Sequence, residues 1–471
     1  MASRNPVPTI LDVPHPSRKE AAPGMAQTFH LLTAAALLAG LAASGRAAEM
    51  LAASVSSITA ADATRHVEAL ADDAFEGREG GTRGGRAAAA YIVEQIEPLG
   101  FEPAGDDGSW YQAFGAGLRN VLALLPGRDP GLASELVVVG AHYDHVGYGT
   151  ERNSFGPFGF VHNGADDNAS GVAGLIEVME ALQRLPEPPR RSILIAFWDG
   201  EEKGLLGSNH FVRERPALLA DHRPVFSINL DMIGRLRNER LVVYGVRTAE
   251  GLRRRLVAAN NDPRAAAGLE LAFDWDILED SDHYPFIAGR VPTLMFHTGL
   301  HDQYHRPSDD VELVNFDGIP PVARLTLATA TEIAETPQRP LFRAAAQAES
   351  NATRRRLEER QPPGGPSRGR WGIVTRADAG EPGTPIVVAV TFGGPAQQAG
   401  LQPGDRLLAV AGRPLAGQAE MVEQLKRSGD ECRLAVERRG RMLEITMCDG
   451  VRPRTSQPSD EDHNDATRLD D

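Results

Sequence analysis

Hydrophobic positions along this chain fall into two rhythms. Short, nearly continuous apolar runs, among them ELVVVGA (135–141), RSILIAF (191–197) and PVFSINL (224–230), read as strands buried on both faces. Between them lie segments with helical spacing, at 169–184, 203–217, 248–260 and 319–335. Strands are also expected at LRNVLALLPG, LVVYGV and VPTLMFHT. Alternation of this kind over about 119–330 predicts an α/β three-layer sandwich around a mostly parallel sheet. Ahead of it, residues 57–100 predict two helices separated by a Gly-rich turn, with Thr59 and Asp62 as starters and Gly100 as a C-cap. Beyond it, 341–369 is a charged helix and a Pro/Gly linker, 370–449 a small β-rich domain, and 450–471 an acidic tail expected to be disordered.

The polar chemistry sits just past the strands. The runs end in GAHYDHVG (140–147), FWDGEEKG (197–204) and NLDMIG (229–234), and NGADDNASG (163–171) and HDQYHRPSDD (301–310) complete the set. In an open α/β sheet, ligands bind beyond the carboxyl ends of the strands, so these clusters should converge in one cleft. Imidazoles and carboxylates without a thiolate suit divalent metal, zinc above all. Each cluster alone has an ordinary reading. Glu201 and Glu202 could simply favour a helix N-terminus, Asp231 could cap a turn, and Asp166 or Asp167 could be an N-cap. In His142-x-Asp144, the acid could orient a metal-binding imidazole, and His145 reads as a bystander.

In order, HYDHVG, GADDNASG, DGEEKGLLGS, NLDMIG and YHRPSDD resemble the motifs of the two-zinc exopeptidases, which include bacterial leucyl-type aminopeptidases, glutamate carboxypeptidase II and glutaminyl cyclases. The resemblance covers roughly 60–335. It implies two zinc ions per chain: His142 and Asp231 on one, Glu202 and His305 on the other, Asp166 bridging, and Glu201 as general base. It also implies a cis peptide after the bridging Asp, expected between Asp166 and Asp167. His301 is the substitute ligand for His305, and Asp144, His301 and Tyr304 are candidates for support or substrate contact. The implied activity is removal of N-terminal residues from peptides. A carboxypeptidase, a cyclase or a catalytically silent binding protein are the competing readings. A carboxypeptidase would need a cation for the substrate carboxylate.

The segment 370–449, and GGPAQQAGLQPGDRLLAVAG (393–412) in particular, resembles a protease-associated PDZ domain. That implies capture of a peptide or protein C-terminus by strand addition, with Trp371, Gly372 and Ile373 in the carboxylate loop. A β-module that merely docks on the peptidase fits equally well.

Composition narrows the partners. A net charge of −15 over 471 residues argues against nucleic acid. The apolar run Leu31–Ala43 is too short to span a bilayer, where about 20 residues are needed. With small residues after it, it reads as a signal peptide within 1–48, and hence an exported protein. Cys432 and Cys448 lie on neighbouring expected strands, where a disulfide or two separate thiols are both open.

Overall fold

The computed structural model describes residues 54–358 and 369–449. The expected signal peptide, most of the linker and the acidic tail lie outside the described residues.

Nine strands form one mixed sheet: β1 (Glu102–Pro103), β2 (Tyr111–Phe114), β3 (Leu118–Leu125), β4 (Glu135–His142), β5 (Ser192–Trp198), β6 (Arg223–Leu230), β7 (Arg240–Tyr244), β8 (Glu270–Phe273) and β9 (Thr293–His297). The order is β1-β3-β5-β4-β6-β9-β7-β8, with β2 also on β3. The central β5-β4-β6-β9 pairings are parallel, while β3 on β5 and β7 on β9 are antiparallel. The sheet is therefore parallel where its strands read as continuous apolar runs, and it joins its flanks through antiparallel pairings, while β7 and β8 run parallel to each other. The short edge strand β8 carries no clear periodicity.

Period-2 alternation sorts the strand residues into two cores. Val137, Val139, Ile193 and Ile195 point into the larger core. It is covered by α1 (Ala60–Leu70), α2 (Arg83–Ile96), α3 (Gly171–Gln183), α5 (Leu252–Asn260) and α7 (Ile319–Glu335). Leu136, Val138, Leu194 and Ala196 point to the other face, against Phe211 of α4 (Leu206–Arg213) and Phe286 of α6 (His283–Ala288). Helices on both faces make the three layers. Local signals set the helix ends: Thr59 and Thr82 cap α1 and α2 through side-chain oxygens, and Pro opens α7. The segment expected as helix 203–217 shortens to α4, because the residues before it form the turn that carries Glu201 and Glu202.

After α8 (Asn351–Glu358), the C-terminal region is an antiparallel sheet of β10 (Ile373–Arg376), β11 (Ile386–Val390), β12 (Arg406–Val410), β13 (Arg413–Pro414), β14 (Glu431–Arg438) and β15 (Arg441–Cys448). Helices α9 (Pro395–Gln398) and α10 (Gln418–Arg427) accompany it. Cys432 lies opposite Met447 and is buried, whereas Cys448 lies opposite Glu431 and is exposed; the pleat sends the two thiols to opposite faces and both are free.

Buried ions dock this region on the domain of the nine-stranded sheet. Asp378 takes Arg247 at 2.7 Å and Arg406 at 2.9 Å. Glu437 takes Arg253 at 2.9 Å, and Glu358 of α8 takes Arg406 at 3.0 Å. At the β14–β15 turn, the Arg439 carbonyl accepts from Leu271 N of β8 at 2.8 Å.

Candidate functional site

Strand register brings the clusters together. His142 ends β4 opposite Trp198, so Asp199–Glu202 emerge beside it. Gly140 pairs with Asn229, and the same register two residues on sets His142 level with Asp231. Asp231 N donates to the Phe296 carbonyl of β9, which holds that turn in place.

Two groups of donors result. His142, Glu201 and Asp231 form one, and His145, Asp167, Glu202 and His305 the other. Asp167 joins them. Its Oδ1 is 3.3 Å from His142 Nε2, and its Oδ2 is 3.2 Å from His305 Nε2. His142 Nε2 is also 3.5 Å from Asp231 Oδ1, and His305 Nε2 is 3.1 Å from Glu202 Oε2.

The residue between the two groups is thus Asp167, and not Asp166. Asp166 turns away: its Oδ1 accepts from Gly234 N at 2.6 Å and Ser170 Oγ at 3.0 Å, and its Oδ2 faces His301 Nε2 at 3.2 Å. It braces the loop against the β6 turn. The cis peptide is correspondingly one residue later than expected, between Asp167 and Asn168. The Asn168 side chain pins this turn to β6, donating to the Leu230 carbonyl and accepting from Met232 N. His301 is likewise no substitute for His305; it lies between Asp166 and Asp309.

Several working residues escape the sequence patterns. His145, read as a bystander, is fully buried with Nδ1 2.8 Å from Glu202 Oε1, so it orients that carboxylate. Asp309 accepts from the backbone N–H of both Asp166 and Asp167 and is held by Arg235 at 3.0 Å. Buried Arg78 donates to four carbonyls, of Leu70, Tyr143, Asn163 and Gly164, and so ties the His142 loop to the Asp167 loop. Asp144 faces His142 through its carbonyl, at 3.1 Å from Nδ1, and its carboxylate accepts from Glu201 N at 3.0 Å. It therefore positions both the imidazole and the Glu201 turn. Tyr304 stacks on His305 with centroids 3.8 Å apart, and the exposed ring of Phe155 stands 6.2 Å from Tyr304 at the rim.

Electrostatics divide the carboxylates. Burial, reinforced by Glu202, Asp282 and Asp231 against the opposing pull of His142, holds Glu201 well above the usual range. Asp167 and Glu202 stay below it despite burial, because imidazoles face them. Burial alone would lower His305, but Asp167 and Glu202 outweigh it and lift it to about 10. The cluster thus draws positive charge to its centre. His305 Nε2 nevertheless makes no hydrogen bond to the oxygens around it. Donor atoms of a tetrahedral zinc, each about 2.0–2.1 Å from the ion, stand ~3.3 Å apart. The observed 3.1–3.5 Å spacings match that. Residue types, charge and spacing fit metal.

In the C-terminal region, Trp371 is buried in the core and its indole donates to the Leu425 carbonyl. Gly372 N is engaged by the Gly369 carbonyl, and its own carbonyl accepts from Thr391 N. Ile373 begins β10, the edge strand, whose Thr375 carbonyl accepts from Gln418 of α10 at 3.0 Å. Trp371 thus serves packing, whereas the outer side of β10 is where a strand would add.

Residues 120–330 match the model of peptidase family M28, and residues 386–438 a PDZ domain model. The chain is 29% identical over 158 residues to leupeptin-inactivating enzyme 1 of Streptomyces exfoliatus, covering 33% of this chain and 31% of that protein. It is 27% identical over 222 residues to aminopeptidase YwaD of Bacillus subtilis, covering 44% and 43%. The chain therefore spans less than half the length of these two curated relatives. Its fold is similar to that of the LapA aminopeptidase of Legionella pneumophila, with a TM-score of 0.51 and 18% identity over 62% of this chain and 76% of that one.

Proposed function

From the premise that residues 120–330 form a peptidase family M28 domain and residues 386–438 a PDZ domain, we propose that this chain is an exported zinc-dependent aminopeptidase. The observation that carries the proposal is the placement of Asp167 between two imidazole–carboxylate sets at zinc-like spacing, with Glu201 beside them. His142 and Asp231 would hold one zinc, Glu202 and His305 the other, and Asp167 both. Bound zinc supplies Lewis-acid polarisation of the scissile carbonyl and lowers the pKa of water.

The chain's own groups do the rest. Glu201 takes a proton from the attacking water as the new C–O bond forms. It returns that proton to the amine nitrogen as the C–N bond breaks. Its raised affinity for a proton suits both halves of that cycle. Burial, with Asp167, Glu202, Asp231 and Glu201 adding to it, pushes the Tyr304 phenol up, so it stays protonated to donate to the developing oxyanion. Phe155, an exposed ring beside Tyr304 and His305, offers a hydrophobic wall to the substrate.

Charge favours a free amine over a free carboxylate. Several basic groups around the cleft are already engaged: Arg235 by Asp309, Arg306 by the Phe155 and Gly156 carbonyls, Lys203 by Glu79, and Arg78 by carbonyls. Asp280 and Asp282, next to the site, are both held toward the protonated form by burial and supply no cation for a substrate carboxylate. The test is release of p-nitroaniline from leucine p-nitroanilide, free or N-acetylated, with and without chelator. Hydrolysis confined to the free amine, abolished by chelator and cut at least ~10²-fold by Glu201→Gln with zinc retained, is expected. Equal cleavage of the acetylated substrate would reject an aminopeptidase. Export rests on the apolar run Leu31–Ala43, and no helix of the described residues is long and apolar enough to cross a membrane. Cell fractionation tests it: retention of the uncleaved chain in the cytosol rejects it. The outer side of β10 supports peptide capture by the PDZ domain.

A further inference from the structure

A second set of metal-type donors lies on the helical layer, away from the cleft. His66 of α1 and Glu177 and Glu180 of α3 each offer a ligand atom, and these atoms lie within 4.8 Å of one another. Glu177 and Glu180 are three residues apart, so α3 presents both on one face, toward His66. His66 is 1% exposed and Glu177 is 0% exposed. One oxygen of Glu177 accepts from Thr59 N at 2.7 Å, and the other, Oε1, is buried without any hydrogen-bond partner.

The imidazole is arranged as a ligand. His66 Nδ1 is 2.8 Å from the Tyr91 hydroxyl, which leaves Nε2 to face outward. Burial, helped by Arg65, pushes His66 down to about 4, so the ring is neutral. Arg65 can only donate, so Nε2 is the acceptor and Nδ1 carries the proton, donated to the Tyr91 oxygen. Once Glu177 and Glu180 are ionised, such a set accepts a cation. The Arg65 guanidinium approaches Nε2 at 3.3 Å, but its side chain is 56% exposed and already paired with Asp62 at 2.7 Å. It leaves Glu177 Oε1 unsatisfied. Burial raises Glu177 to about 8, and Glu180 and Asp62 add to the rise, as expected of a carboxylate short of positive charge.

We infer that His66, Glu177 and Glu180 form a third metal site, which takes a divalent transition ion such as zinc. One imidazole and two carboxylates leave room for water, as in sites of that donor class. Its role is structural. The ion would staple α1 to α3, and α3 begins at Gly171, directly after the turn that carries Asp167. Arg65 would keep its Asp62 partner and withdraw from Nε2 as the ion enters.

The test uses the full-length protein, stripped with chelator, reloaded with zinc and desalted, and read by elemental analysis. Three equivalents are expected in the wild type and two in Glu180→Gln, a partly exposed position where the amide is tolerated, with kcat unchanged. His66→Ala should behave alike. Zinc should also raise the Tm of the Asp167→Ala variant, and Glu180→Gln should cut that rise by about 3 °C when zinc is at 100 times its Kd for the third site. Equal zinc content in wild type and Glu180→Gln overturns the inference. Failure of the cleft assignment looks different: Asp167→Ala would then lose no zinc, whatever stands at position 180.

Discussion

Replacing one oxygen by nitrogen at either of two adjacent aspartates separates ligand from brace. Asp166→Asn keeps an acceptor for Gly234 N and Ser170 Oγ but removes the charge that strengthens both bonds. A charge-assisted hydrogen bond contributes about 1.5–3 kcal/mol and a neutral one about 1, so two such bonds lose about 2 kcal/mol together. With an unfolding entropy near 2 cal/mol/K per residue, that lowers the Tm of a chain this long by about 2–3 °C. Zinc content should be unchanged, because neither oxygen of Asp166 belongs to either donor group. Asp167→Asn does the opposite. The amide nitrogen has no lone pair to give, so one of the two sets at His142 and His305 loses its shared oxygen. The metal-free protein should also lose stability, since the imidazoles that face Asp167 stabilise its ionised form, so zinc content is the quantity that separates the two variants. At least one equivalent of zinc should be lost, with turnover. Differential scanning calorimetry and elemental analysis read both quantities. Loss of zinc from Asp166→Asn with retention in Asp167→Asn would refute the reasoning.

Two further outcomes are expected. Tyr304→Phe should lower kcat by about 10²–10³-fold with little change in KM, because the phenol acts on charge that appears only in the transition state; a change confined to KM would place Tyr304 in ground-state binding. Asp378 is held at about 2, since Arg406 and Arg247 outweigh its burial. Its pKa is depressed on folding, so its contribution is complete above pH ~4 and is lost as pH falls through 2, and amounts to about 2 kcal/mol. Thermal melts from pH 5 to 2 should show Asp378→Asn with a shallower acid slope than wild type, and parallel slopes would contradict this.

Much of the site is legible in the sequence because the signals are local and ordered. An apolar run followed by acid or imidazole identifies a strand's carboxyl end, and the parallel register then enforces convergence. His142, Glu201, Glu202, Asp231 and His305 all follow from that logic and meet in one cleft. The choice within Asp166–Asp167 does not follow, because adjacent residues share every pattern-level property and differ only in where the turn aims them. His145 escapes for a related reason: a second imidazole in HYDHVG has no distinguishing spacing, and only the fold brings Glu202 to it. Arg78, Arg247 and Arg406 look like ordinary surface charges in sequence, and Asp309 lies in a cluster that does not say which acid does what. Their partners are distant residues or bare carbonyls, which no periodicity encodes.

The β14–β15 turn does more than fasten one domain to another. Strand β8 is the last strand of the nine-stranded sheet, and its outer row of amides would otherwise be a template for any passing extended chain. Arg439 occupies one of those amides, and Gly440 packs on Leu271 so tightly that a Cβ there would lie 2.4 Å from its side chain. The PDZ domain is thus an edge guard. A chain deprived of residues 370–449 would keep every donor of its cleft, yet would be prone to self-association through β8.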